Sequence, residues 1–197
     1  MVMQAKAELR ALREMAAKGR DRSTGGGEFL LTWGLAVATG SILDMVLPPA
    51  CPSIVPWGGA IGLGFIVTLV EIYLLRRSVY GVTWRTEVLV TTWLVSATAI
   101  VVFNLGEDIA RGGLPSESEA ATAMILGVAL AATSTITHTK PLIVPALIWI
   151  ALGFCLLVAA PGMNIPLILA VAALLLLVLP GTALLFRSRR APDPRPE

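Results

Sequence analysis

The feature that most limits what this chain can fold into is a succession of six apolar runs, at 29–47, 57–75, 87–105, 120–136, 142–160 and 166–186. A helix needs roughly 20 apolar residues to cross a hydrocarbon core about 30 Å thick. None of the runs alternates polar with apolar residues as a barrel strand would, and irregular backbone facing lipid would leave its amides unpaired. The expected fold is therefore all-α: a polytopic integral membrane protein with six transmembrane helices in three hairpins, pairing spans one with two, three with four and five with six. Composition agrees, since 56% of the 197 residues are hydrophobic and only 14% charged, with a mean hydropathy of +0.80. Soluble domains are about half apolar and about a quarter charged, so an ordinary water-soluble globule is excluded. Disorder requires low hydrophobicity, and two cysteines cannot build a disulfide scaffold.

Orientation follows from the basic residues, which are retained on the cytoplasmic side. Lys6, Arg10, Arg13, Lys18, Arg20 and Arg22 precede the first run, Arg76, Arg77 and Arg85 lie between the second and third, and Lys140 lies between the fourth and fifth. Arg187, Arg189, Arg190 and Arg195 follow the sixth, which leaves Arg111 alone of the 15 basic residues on the opposite loops. The loop at 106–119 also carries Glu107, Asp108, Glu117 and Glu119. Both termini are thus expected in the cytoplasm, with the chain in a bacterial inner membrane. The first 28 residues carry no apolar core of the signal-peptide kind, so the first span is expected to act as an uncleaved insertion signal. The basic tail, with no interleaved aromatics, gives no reason to expect nucleic-acid binding.

Within residues 1–22, Val2, Ala5, Leu9, Leu12 and Ala16 recur at helical spacing, while Lys6, Arg10, Arg13 and Lys18 crowd the other faces. The expectation is an amphipathic cytoplasmic helix, with Leu9, Leu12, Arg10 and Arg13 docking on the membrane surface or on a partner. The triglycine within 23–28 is expected to form a flexible hinge, and it lacks the Gly-Lys-Ser/Thr ending of a phosphate loop. Residues 29–186 form the transmembrane domain, and 187–197 a basic, proline-rich cytoplasmic tail.

Charges inside a membrane are costly and are candidate functional groups. Glu71 and Glu87 fall near the cytoplasmic ends of spans two and three, where Arg76, Arg77 and Arg85 lie close in sequence, so a carboxylate–arginine cluster is expected. Glu71 shares a helix face with Ala60, Gly64, Val67 and Thr68, which aims it into protein. With Thr133, Thr137, His138 and Lys140 at the end of span four, Glu71 and Glu87 outline a candidate ligand or ion vestibule. The hydroxyls of that run can also bond back to helix carbonyls, with His138 and Lys140 suiting a helix C-terminus. On the outer side, Asp44 is expected to pair with Arg111. A single histidine and scattered hydroxyls assemble no catalytic constellation, haem ligation or zinc site, so no catalytic residue, metal or cofactor is expected.

Lipid is as apolar as leucine, so close backbone approach at small residues must hold such a bundle together. Gly58 with Gly62, Ala60 with Gly64, and Gly127 between Ala123 and Ala131 have that spacing, and Pro145 and Pro180 are expected to kink spans five and six. These features favour a non-enzymatic accessory or scaffold protein, partnered by the lipid bilayer and by copies of itself or a second membrane protein. A small-solute or ion transporter or channel, with its vestibule near Glu71, is the alternative.

Overall fold

The computed structural model describes residues 26–47, 54–77, 84–111, 116–158 and 163–190; the N-terminal segment with Leu9, Arg10, Leu12 and Arg13, and Cys51, lie outside them. The described residues are helical, without strands: α1 (Gly26–Val46), α2 (Ile54–Arg77), α3 (Trp84–Arg111), α4 (Ser116–Ile136), a 3₁₀ turn (Lys140–Leu142) and α5 (Ile143–Leu157). The sixth segment is α6 (Ile165–Ala173), a π-helical turn (Leu174–Val178) and α7 (Leu179–Arg190) in succession. Six stretches are long and apolar enough to cross a membrane, Gly26–Val46, Val55–Leu74, Trp84–Gly106, Ser118–Ile136, Lys140–Leu157 and Ile165–Arg187. Several helices outrun the apolar stretches that specify them. α3 continues to Arg111, because a helix keeps satisfying its own amides after the residues turn polar.

The helices sort into two groups of three. α1 lies between α2 and the α6–α7 segment, whereas α4 lies between α3 and α5. Spans one and two, and spans three and four, are therefore neighbours. Spans five and six meet mainly around the π turn, while the sixth lies along α1. Glycine explains that choice of neighbour. A Cβ on Gly27 would stand 2.8 Å from the Gly181 carbonyl oxygen, and one on Gly34 would stand 2.8 Å from the Leu177 Cβ. Only a hydrogen side chain permits such backbone proximity. Part of the segment expected to be a hinge is thus helical: Gly26 and Gly27 form the first turn of α1, and both are buried.

Aromatic rings join the two groups. The Trp33 ring of α1 meets Phe65 of α2 edge-on at 5.4 Å and stacks with Trp93 of α3 at 6.4 Å, with 14° between the planes. These separations suit the ring quadrupoles. Trp93 and Trp149 are fully buried and belong to one apolar core with Leu30, Leu126, Leu130, Leu169 and Leu177.

The two prolines behave differently. Pro180 has no N–H to donate and its ring crowds the carbonyl of Leu176, so the helix widens just before it. The Leu179 amide accordingly bonds to the Leu174 oxygen, five residues back. Pro145 was expected to kink the fifth span, but it falls in the first turn of α5. Directly after the 3₁₀ turn Lys140–Leu142, this is a position near a helix start where proline is tolerated.

Candidate functional site

The starts of α1 and α3 and the ends of α2, α4 and α7 gather at one end of the bundle, hereafter the basic end, with Arg77, Arg85, Lys140 and Arg187. Two polar clusters lie there, on different flanks of α1.

The first cluster is in the seam between α1 and α2. Gly64 lets the helices close, since a Cβ on it would be 3.3 Å from the Trp33 ring and 3.4 Å from the Ala36 Cβ. Toward the basic end from that contact, Thr32 of α1 donates its hydroxyl to Oε1 of Glu71 at 3.2 Å. The other carboxylate oxygen, Oε2, is buried with no partner. Thr68, one turn before Glu71 on the same face, is 0% exposed, and its hydroxyl also has no partner. Buried polar groups are normally paired, because leaving one unsatisfied costs about 1–3 kcal/mol. Among the described residues, the side chains with buried and unpartnered polar atoms are Trp33, Ser41, Thr68, Glu71 and Trp149. All but Trp149 belong to α1 or α2, so the unmet hydrogen-bonding capacity is concentrated in those two helices.

The second cluster surrounds the end of α4. Thr133 donates to the Ala129 oxygen at 2.8 Å, Thr135 to the Ala131 oxygen at 3.1 Å, and Thr137 to the Thr133 oxygen at 2.7 Å. The Thr133 hydroxyl also accepts from the Trp93 indole at 3.1 Å, which ties α3 to α4. Thr137 further contacts the Thr139 hydroxyl at 3.0 Å. His138 then turns the chain in the left-handed region with φ 54°. Its Nε2 lies 3.5 Å from a guanidinium nitrogen of Arg85, whose guanidinium also stands 5.8 Å over the exposed Trp84 ring. Lys140 is exposed at the start of the 3₁₀ turn. α1 touches this cluster through Gly26, where a Cβ would be 3.1 Å from the Thr137 methyl and 3.6 Å from that of Thr133. Thr32 lies about 9 Å further along α1 at the helical rise of ~1.5 Å per residue, so the clusters are offset in depth.

The residues expected to outline one vestibule are thus divided. Glu71 lies in the first cluster; Thr133, Thr137, His138 and Lys140 lie in the second; Glu87 is exposed in the first turn of α3. The expected carboxylate–arginine cluster falls partly on the side chain of Arg76, outside those described, and the other members do not come together. Glu71 is held by Thr32, Arg85 reaches His138, and Arg77 stands 4.8 Å over the Tyr73 ring. Asp44 is half-buried near the end of α1, and the expected pair falls partly on the side chain of Arg111, outside those described. No group of three metal-ligating side chains occurs among the described residues.

The expected packing glycines also divide. Gly64 abuts α1, and a Cβ on Gly127 would be 2.7 Å from Ile150 and 2.9 Å from the Ala146 oxygen of α5. Gly62 does not pack inside this chain, since nothing lies within 4 Å of the position its Cβ would take; Gly59 is equally open, and Gly58 is exposed. That face of α2 points away from α1, so spacing on α2 alone could not separate Gly62 from Gly64. Thr32 escaped the sequence reading, although antiparallel register puts it at the depth of Glu71. No family model, curated protein or solved structure matches this chain.

Proposed function

We infer that this chain is a non-enzymatic integral membrane accessory or scaffold protein, which associates through the outward face of α2 with a second copy of itself or with another membrane protein. The observation that carries this reading is the open space beside Gly59 and Gly62. Helices in lipid associate by close approach at small residues, and here a small-residue face is left unused by the chain's own neighbours. Leu63, Ile66 and Leu69 flank it and are exposed, offering apolar surface to a partner helix. Native mass spectrometry of protein extracted gently from its membrane tests the reading. The expected result is a stoichiometric complex that Gly62→Ile disrupts while the chain stays folded; a monomer in both proteins would overturn it.

Transport is the second reading, favoured by the unpartnered Oε2 of Glu71 and hydroxyl of Thr68 within a span. Intramembrane carboxylates characteristically mark ion or substrate paths. A solute or ion flux that is altered by Glu71→Gln at equal expression would support that reading.

A further inference from the structure

We propose that Glu71, Thr68 and Thr32 form a binding site for a monovalent alkali cation in the seam between α1 and α2. The carboxylate supplies one negative charge within a segment apolar enough to span a membrane. Among the described residues no basic side chain reaches it, and its one hydrogen bond comes from Thr32. An ionised carboxylate in such surroundings needs a counter-charge, because burying charge without a partner is far more costly than burying a neutral polar group.

The donor set selects the class of ligand. Oε2 of Glu71 and the hydroxyl of Thr68 are buried and unpartnered, and they sit one turn apart on one face of α2. Side chains at that spacing have Cβ atoms about 5–6 Å apart, a separation one ion can bridge. Thr32 spends its proton on Oε1 and keeps oxygen lone pairs for a cation. All these donors are hard oxygens, with no imidazole or thiolate, which suits an alkali or alkaline-earth ion over a transition metal. A single carboxylate balances a charge of +1, whereas calcium and magnesium sites usually draw on more than one carboxylate or on phosphate. Glu28, one turn before Thr32 and exposed, adds negative potential at the same end of α1.

This site does not rest on transport: a fixed structural ion would meet the binding test and give no flux. The test is thermal unfolding of the full chain in lipid nanodiscs, titrated with sodium or potassium chloride against choline chloride at matched ionic strength. Binding to the folded state alone raises the midpoint saturably. The expected result is such a rise with at least one of the two alkali ions and its loss in Glu71→Gln. Thr68→Val provides the sharper variant, because it removes an unsatisfied hydroxyl with little change of shape. It should be at least as stable as the parent in choline, yet bind the cation about tenfold more weakly, which corresponds to about 1.4 kcal/mol. Equal midpoints in all three salts, an alkali-ion effect that survives in Glu71→Gln, or a midpoint that answers to pH and to no cation would each overturn the proposal. In the last case Glu71 holds a proton.

Discussion

The seam between α4 and α5 and the outward face of α2 both carry glycine, and they use it in opposite ways. At the seam the glycines are reciprocal. Gly127 of α4 receives Ala146 and Ile150 of α5, and Gly153 of α5 receives Ala120 and Met124 of α4. On the outward face of α2, Gly59 and Gly62 receive nothing from this chain. Spacing alone does not distinguish the two cases. The physical difference is whether a backbone lies opposite, and that depends on the helix's neighbours rather than on its own sequence.

The largest expected effect lies in the closed seam. A Cβ on Gly153 would stand 2.5 Å from Met124 Cγ and 2.9 Å from the Ala120 carbonyl oxygen. The methionine can swing aside, but the carbonyl is locked into α4. Gly153→Ala should therefore lower stability by about 1–3 kcal/mol, the usual range for an overpacked core. Gly127→Ala should fall in the same range. Thermal unfolding in detergent or nanodiscs checks both; a midpoint unchanged in either protein would mean that α4 and α5 are less closely engaged than these distances imply.

An intermediate effect is expected where a side-chain hydrogen bond ties α3 to α4 within one three-helix group. The Trp93 indole bonds to Thr133 inside the core, while the equally buried Trp149 indole has no partner. Trp→Phe at either position loses ring volume, but only at Trp93 is a hydrogen bond lost with it. Trp93→Phe should thus cost about 1 kcal/mol more than Trp149→Phe, the net worth of one such bond. In a double-mutant cycle with Thr133→Val, Trp93→Phe should show non-additivity of similar size. Additive losses would mean that the bond contributes nothing to the joint between α3 and α4.

These comparisons also indicate what could be read from the amino acids. Six spans were legible because span identity depends on the length of an apolar run, a local quantity. The back-bonding hydroxyls at the end of α4 were legible for the same reason, since their acceptors lie within the same helix. Pairing of the sixth span with α1 was not, because it depends on Gly27 meeting Gly181 and Gly34 meeting Leu177 across most of the chain's length. Of the candidate site, Glu71 and the face it shares with Thr68 could be read from periodicity. Its partner Thr32 could not, because a threonine in an apolar helix carries no local sign of which carboxylate lies at its depth.

The smallest expected effect is at Gly64, which lies between the two extremes. Replacing glycine by alanine inside a helix gains about 0.5–1 kcal/mol in backbone entropy where nothing is in the way. Gly62→Ala should show that gain undiminished in the isolated chain, since its Cβ would enter open space. Gly64→Ala offers the same gain, but the new methyl would press the Trp33 ring at 3.3 Å and the Ala36 Cβ at 3.4 Å. Trp33 is itself held between Phe65 and Trp93 and can yield only slightly. Gain and strain should nearly cancel, leaving Gly64→Ala within about 0.5 kcal/mol of the parent. The informative quantity is the difference between the two variants measured side by side. A Gly64→Ala protein as stable as Gly62→Ala would show that the α1–α2 seam is slack, whereas a loss as large as that of Gly153→Ala would place it with the α4–α5 seam.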